Sequence, residues 1–432
     1  MLPLHDTVAL LHRRVGEQLT QAQRDDARQG KSPMAPEVER EFARSLINTV
    51  LQAYNTEQAA IGIPAMSPQD ERELADAVHA RIYGAGALQP LLDNPDIENI
   101  DIQGDRVFVT YAGGIRERVA PVTRSNEELI ELVQTLAATS GLTSRAWDKT
   151  NWQLDLRLPG GERLSGVMDV TKVPAISIRR ARLGKIFLDD LVRFGSVTEE
   201  AASFLRAAVL SRKNIMIGGA TDAGKTTMLR ALANVIPPNE RLITVEKALE
   251  LGLDEFDDLH PNIVVMEERQ PNSEGLGGVA MAELVRRSLR QNPDRVIVGE
   301  VLGPEIVTML NAMSQGNDGS LSTIHARNSA SVFKRITTYA RQAAEGFDRE
   351  TTHDLIAGAL DFVVYLSQVK NPATGEKHRR LVSIREVTGV DGQVLSNEVF
   401  KLNAYGELKP AAPLTCLDEL AEHGYYPSGD YT

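Results

Sequence analysis

Three successive stretches of the chain distribute their apolar residues differently. Residues 1 to about 85 read as a helical, polar N-terminal segment. Between Glu37 and Tyr54, the apolar residues Phe42, Leu46, Ile47 and Val50 recur at three- and four-residue spacing, which predicts a helix with one buried face. Asp70 to Tyr83 predicts a second helix, ended by Gly84-Ala85-Gly86. From 86 to 182 the pattern shortens to strands. Residues 106–110 and 115–119 flank Gly113-Gly114, and residues 154–158 and 163–167 flank Pro159-Gly160-Gly161, so each pair predicts a hairpin. Asn126 to Gly141 reads as a helix between them, and the stretch as a whole as a small α+β domain with a linker over 183–190. From 191 to 432 short apolar runs alternate with helices. The runs are 242–245, 262–265, 295–298 and 320–324, and the helices include Thr226 to Val235 and Met281 to Gln291. That alternation predicts an α/β nucleotide-binding domain. Past about residue 362 the pattern returns to strands, with a last helix near Leu417 to Glu422.

One loop in the α/β stretch carries specific chemistry. Gly219-Ala220-Thr221-Asp222-Ala223-Gly224-Lys225-Thr226 fits G-x-x-x-x-G-K-[ST], the Walker-A phosphate-binding loop. Asn214-Ile215-Met216-Ile217 before it reads as a buried strand, and the helix after it is stopped by Pro237-Pro238. Strand, loop and helix start is the geometry that aims backbone N–H groups at a triphosphate. Lys225 is expected on the β- and γ-phosphates and Thr226 on Mg²⁺, with Thr227 beside them in the first turn. Asp222 could cap backbone N–H groups or point to solvent.

Further candidates stand at strand ends, which face the ligand in doubly wound sheets. Glu246 follows the first strand after the loop, and Glu250 lies one turn beyond, where it could position an attacking water. Glu300 is expected just beyond the strand 295–298, as a Walker-B acid on Mg²⁺ or water. His325 closes the strand 320–324 and could sense the γ-phosphate. Arg286 and Arg290 share one helix face by their i,i+4 spacing, with Met281, Leu284, Val285 and Leu289 on the buried side. Each of these taken alone is also compatible with a solvated surface charge or a structural histidine.

Composition narrows the setting. No apolar run approaches the ~18 residues that a membrane span needs, and Met1-Leu2-Pro3-Leu4-His5-Asp6 has no basic-then-apolar signal pattern. The single cysteine, Cys416, excludes an internal disulfide and a multi-cysteine metal site. A cytoplasmic location is expected. The formal net charge of −12 argues against broad, sequence-independent nucleic-acid binding.

Taken together, the segments resemble the type II/type IV secretion ATPase family, in particular the ATPases of Tad/Flp pilus assembly. The likeness spans roughly residues 80 to 430. Leu88-Gln89-Pro90-Leu91-Leu92 with Asp96-Ile97 resembles the entry to the family's N-terminal domain, and Ser177-Ile178-Arg179-Arg180 its arginine segment. Residues 244–251 are similar to its acidic box, 292–301 to its Walker-B segment and 319–326 to its histidine box. The resemblance implies a RecA-like P-loop NTPase domain preceded by a helical segment and a small α+β domain. It implies homo-hexameric rings that bind ATP and Mg²⁺ and dock peripherally on platform proteins at the inner face of the plasma membrane; on the acidic net charge, no nucleic acid is expected among the partners. It makes Glu250 the general base supported by Glu246, Glu300 the Walker-B acid and His325 the phosphate sensor. Arg269, Arg286 and Arg290 would complete the site, and Arg163 and Arg179 would close over the nucleotide from the N-terminal domain.

The sequence departs from the family pattern at Lys247, Leu302 and Asn317, and has Ala220 and Asp222 where glycine is frequent. These departures bear on turnover more than on binding. An ATP-binding scaffold subunit with weak or no hydrolysis therefore stays open beside the motor, as does a DNA-dependent RecA-like motor.

Overall fold

The computed structural model of the chain describes residues 4–29, 34, 36–64, 66–111, 114–139, 146–158, 160–180, 184–271, 275–344, 346–370, 377–403 and 405–428. Gly113, Gly141, Pro159 and Asn272, together with residues 1–3 and 183, lie outside them. The chain divides into two contact units, Met1–Arg182 and Leu183–Thr432.

The described residues of the first unit open with three helices, α1 (Leu4–Arg28), α2 (Pro36–Ala60) and α3 (Pro68–Tyr83). Val8, Leu11 and Val15 of α1, Ile47 and Val50 of α2, and Leu74 and Val78 of α3 close on one another as one core. Spacings of three and four put each set on a single helix face. A capping box starts α3: the Ser67 side chain accepts from the Asp70 N–H, and the Asp70 carboxylate accepts from the Ser67 N–H. Helix α2 runs six residues past the expected end at Tyr54. Tyr54 is its last buried anchor, and the extra turn is polar and carries an Arg14–Glu57 ion pair at 3.0 Å.

The rest of this unit comprises α4 (Gln89–Asp93), β1 (Ile97–Gln103), β2 (Arg106–Tyr111), β3 (Arg116–Val119), α5 (Asn126–Thr139), β4 (Gln153–Arg157), β5 (Arg163–Val167) and β6 (Ala175–Arg179). They form a six-stranded sheet in the order β3-β2-β1-β6-β5-β4, antiparallel throughout. Both expected hairpins are present as β2–β3 and β4–β5. Alternation along the strands sends Leu154, Leu164, Ile176 and Ile178 to one face, where they join Leu129 and Val133 of α5 in a core. Trp147 is 1% exposed in that core. A Cβ on Gly166 would lie 3.3 Å from the Trp147 ring, so the glycine makes room for the indole. The opposite face carries Arg157, Arg163 and Arg179 in direct register across β4, β5 and β6.

The second unit contains α6 (Leu188–Arg193), α7 (Glu199–Leu210), β7 (Ile215–Gly219), α8 (Lys225–Ala233), β8 (Leu242–Glu246), β9 (Ile263–Glu267) and α9 (Met281–Ser288). There follow β10 (Arg295–Val301), α10 (Glu305–Ser314), β11 (Leu321–His325), α11 (Ser331–Ala340) and α12 (Arg349–Ala359). The chain then adds β12 (Phe362–Lys370), β13 (Lys377–Val390), β14 (Val394–Leu402), β15 (Leu408–Pro410) and α13 (Leu417–Ala421). The stretch expected as a linker, 183–190, runs into α6, whose Leu188 is buried. One nine-stranded sheet has the order β15-β14-β13-β12-β7-β11-β10-β8-β9. From β12 to β9 the pairs are parallel, and β12 to β15 form an antiparallel flank. Apolar cores cover both faces, which is why the central strands read as unbroken apolar runs.

Candidate nucleotide site at the ends of the parallel strands

Backbone constraints shape the loop between β7 and α8. Gly219 ends β7 at a close approach: a Cβ there would sit 2.9 Å from the Leu366 carbonyl oxygen and 3.0 Å from the Ala223 Cβ. Gly224, the N-cap of α8, has φ +93, a region costly for residues with a side chain. Asp222 also lies in the left-handed region, at φ +59. No side chain caps the α8 N-terminus, so its first N–H groups face the loop without a competing acceptor from the N-cap residue.

Lys225 opens α8 and is only 8% exposed. Its Nζ donates to the Ala220 carbonyl at 3.1 Å and lies 3.9 Å from Glu300 Oε1. Burial lowers its pKa from the ordinary lysine value, while the charges of Glu300, Asp222 and Glu250 oppose that shift. His325 Nε2 sits 2.8 Å from Glu300 Oε1, and its Nδ1 lies 3.3 Å from the Lys225 Nζ. The tautomer with hydrogen on Nε2 satisfies both contacts, donating to Glu300 and accepting from Lys225.

Strand order brings these residues together. Lys225, Glu300 and His325 are far apart in sequence, but β7, β11, β10 and β8 are spatial neighbours. His325 pairs directly with Gly219 across β11 and β7. Glu300 does not follow β10 as expected but lies within it, where the register with β11 slips by one residue between Val298 and Val301. An inserted residue of this kind re-aims the side chains beside it.

Glu246 ends β8 and is 3% exposed. Its Oε2 accepts from the N–H groups of Glu250, at 2.8 Å, and Leu251, at 3.0 Å. Burial pushes its pKa up to about 7, with those two hydrogen bonds pulling the other way. A Cβ on Gly299 would meet the Glu246 Cγ at 2.9 Å, so this glycine lets the buried carboxylate lie across β10. Glu246 thus fixes the loop that carries the half-buried Glu250.

The candidate arginines stand on other elements. Helix α9 buries Met281 and Val285, with Leu284 and Leu289 half-buried against the same core. The helix ends at Ser288 rather than Gln291, so Arg290 lies in the turn beyond it and does not share a helix face with Arg286; both are exposed, and Arg286 pairs with Glu283 at 2.7 Å. Arg269, past the end of β9, is exposed and donates its Nε–H to the Gly277 carbonyl at 2.6 Å. Arg163 and Arg179 belong to the first unit, where they stand opposite one another on β5 and β6. The buried acid beside them, Glu162, lies 3.7 Å from Arg180.

A family model described as type II/IV secretion system protein matches residues 84–388, well over half of the chain. The chain belongs to this family. Protein VirB11 of Agrobacterium fabrum is 38% identical over 312 residues, covering 64% of this chain and 87% of VirB11. Conjugal transfer protein TrbB of Rhizobium radiobacter is 30% identical over 256 residues, covering 58% of this chain and 70% of TrbB. The X-ray structure of the Legionella pneumophila ATPase DotB superposes with a TM-score of 0.53 at 18% identity, over 71% of this chain and 81% of DotB. That likeness supports the RecA-like fold of the second unit and its α+β preface.

Two residues that this family member brings to the loop escaped the sequence. Gln368 of β12 and Arg379 of β13 both reach the Asp222 carbonyl oxygen, at 3.1 and 2.8 Å. Both are exposed polar positions of a strand pair, with nothing in their spacing to set them apart.

Proposed function

We propose that the chain is an ATP-hydrolysing motor subunit that works as a homo-hexamer and powers pilus assembly or secretion from the inner face of the plasma membrane. The observation that carries the reading is the Lys225 ammonium, held at the loop mouth against Glu300 and His325 at the ends of adjacent parallel strands. Membership of the secretion family makes the chain an ATP hydrolase. Tad-type pilus assembly follows the motif resemblance, whereas the name of TrbB favours a second reading, a conjugal transfer machine. No helix among the described residues is long and apolar enough to cross a membrane, and attachment there would run through platform proteins.

In this site Lys225 and the N–H groups of residues 219–227 bind the β- and γ-phosphates. Among the described residues no three His, Cys, Asp or Glu side chains gather into a metal site of their own. Mg²⁺ would therefore be shared between the phosphates, Thr226 and Glu300, and when bound it neutralises phosphate charge. Glu250, held by Glu246, takes a proton from water as the water oxygen bonds to the γ-phosphorus. The bond from that phosphorus to the bridging oxygen breaks, and ADP leaves with the electron pair. His325 and Lys225 face the released phosphate. Arg269, Arg286 and Arg290 are assigned to the junction with a neighbouring subunit, and Arg163 and Arg179 to closure from the N-terminal domain.

Assembly gives the first test. A site shared between subunits makes nucleotide binding and ring formation reciprocal. A non-hydrolysable ATP analogue should move the chain toward hexamer in light scattering. A strict monomer carrying bound analogue at micromolar concentration removes the shared-site reading.

Closure gives the second. An arginine on a phosphate contributes about 1.5–3 kcal/mol, as for hydrogen bonds to charged groups. Arg163→Ala and Arg179→Ala should each raise the ATP dissociation constant about tenfold or more, with the circular dichroism spectrum unchanged. A lowered melting temperature with unchanged affinity assigns both to the sheet alone.

A further inference from the structure

We propose that Gln368 and Arg379 brace the phosphate-binding loop from the C-terminal hairpin, holding the Asp222 carbonyl and with it the curl of the loop. The inference rests on the reading of that loop as a triphosphate site. Strand β12 runs parallel beside β7 with Leu366 opposite Gly219, so it continues past the end of β7 alongside the loop. Gln368 then stands directly opposite Arg379 in the β12–β13 pairing, which puts both side chains on one face of the hairpin. Their Nε2–H and Nε–H groups converge on one acceptor, the Asp222 carbonyl oxygen, at 3.1 and 2.8 Å. A carbonyl oxygen has two lone pairs, and two donors fill both.

What they hold is a residue that needs holding. Asp222 sits at φ +59, a conformation that a non-glycine residue keeps only when its surroundings fix it. The neighbouring Gly224 at φ +93 adds a second left-handed turn, and the Arg379 stem covers it, with Cδ 3.5 Å from where a Cβ would be. Successive N–H groups in such a turn point to one side, which is how a nest receives an anion. Gln368 and Arg379 are thus positioning residues: they act through the loop, and their loss should weaken phosphate binding whatever base the ligand carries.

Calorimetry on the full chain with two probes, ATP and inorganic tripolyphosphate, tests this. Gln368→Leu removes one donor without changing charge and should weaken both ligands by a common factor of about three to ten, the worth of one hydrogen bond. Arg379→Met should weaken both further, and Arg379→Lys, which keeps a donor and the charge, should restore most of the loss. Both positions are exposed, so the ligand-free melting temperature should not move. Wild-type affinity for both probes in Gln368→Leu overturns the brace, because any effect of Arg379 would then be charge alone. A loss confined to ATP overturns it too, by assigning the pair to the base or ribose. If the unaltered chain binds neither probe, the phosphate-site reading itself is gone and the brace goes with it.

Discussion

Replacing Lys225 with alanine is expected to abolish detectable ATP binding. Its ammonium is the buried cation at the loop, drawn into place by the Ala220 carbonyl and by the charges of Glu300, Asp222 and Glu250. Hydrogen bonds to charged groups are worth about 1.5–3 kcal/mol each, so losing contacts to two phosphates weakens binding by about 10²–10⁴. The fold should survive, because α8 also buries Met228, Leu229 and Leu232. Calorimetry with circular dichroism as the folding control checks this. Near-wild-type affinity in a folded variant removes the phosphate-loop assignment.

The second large effect concerns the water. Glu250→Gln should keep ATP affinity and lower turnover by roughly a hundredfold or more, the usual loss of general-base catalysis. The choice of Glu250 over Glu300 has a geometric basis. Glu300 Oε1 accepts from His325 at 2.8 Å and faces the Lys225 ammonium at 3.9 Å, so that oxygen is already engaged. Glu250 sits on a loop whose own N–H is fixed by the buried Glu246. Normal hydrolysis by Glu250→Gln alongside a dead Glu300→Gln moves the base to Glu300.

Much of this was legible because its signals are local. The glycine spacing from Gly219 to Lys225, the apolar strand before it and the helix after it lie within one short window. Carboxylates beside apolar strands marked Glu246 and Glu300, and the hairpin signals located β2–β3 and β4–β5. Spatial order was not legible. That His325 faces Gly219 depends on β11 inserting beside β7, which periodicity does not encode. A one-residue slip put Glu300 inside β10 rather than after it. The exposed Gln368 and Arg379 matter only because β12 outruns β7. The i,i+4 spacing of Arg286 and Arg290 predicts one helix face, but α9 stops at Ser288, and the spacing carries no signal for where the helix ends.

Phosphate release from Mg·ATP by the purified full chain tests the central claim most directly. The account predicts steady turnover that needs Mg²⁺, is lost in Lys225→Ala because ATP no longer binds, and falls by roughly a hundredfold or more in Glu250→Gln while ATP still binds. A folded chain that binds ATP yet releases no more phosphate than Lys225→Ala would contradict the motor and leave a nucleotide-binding scaffold in its place.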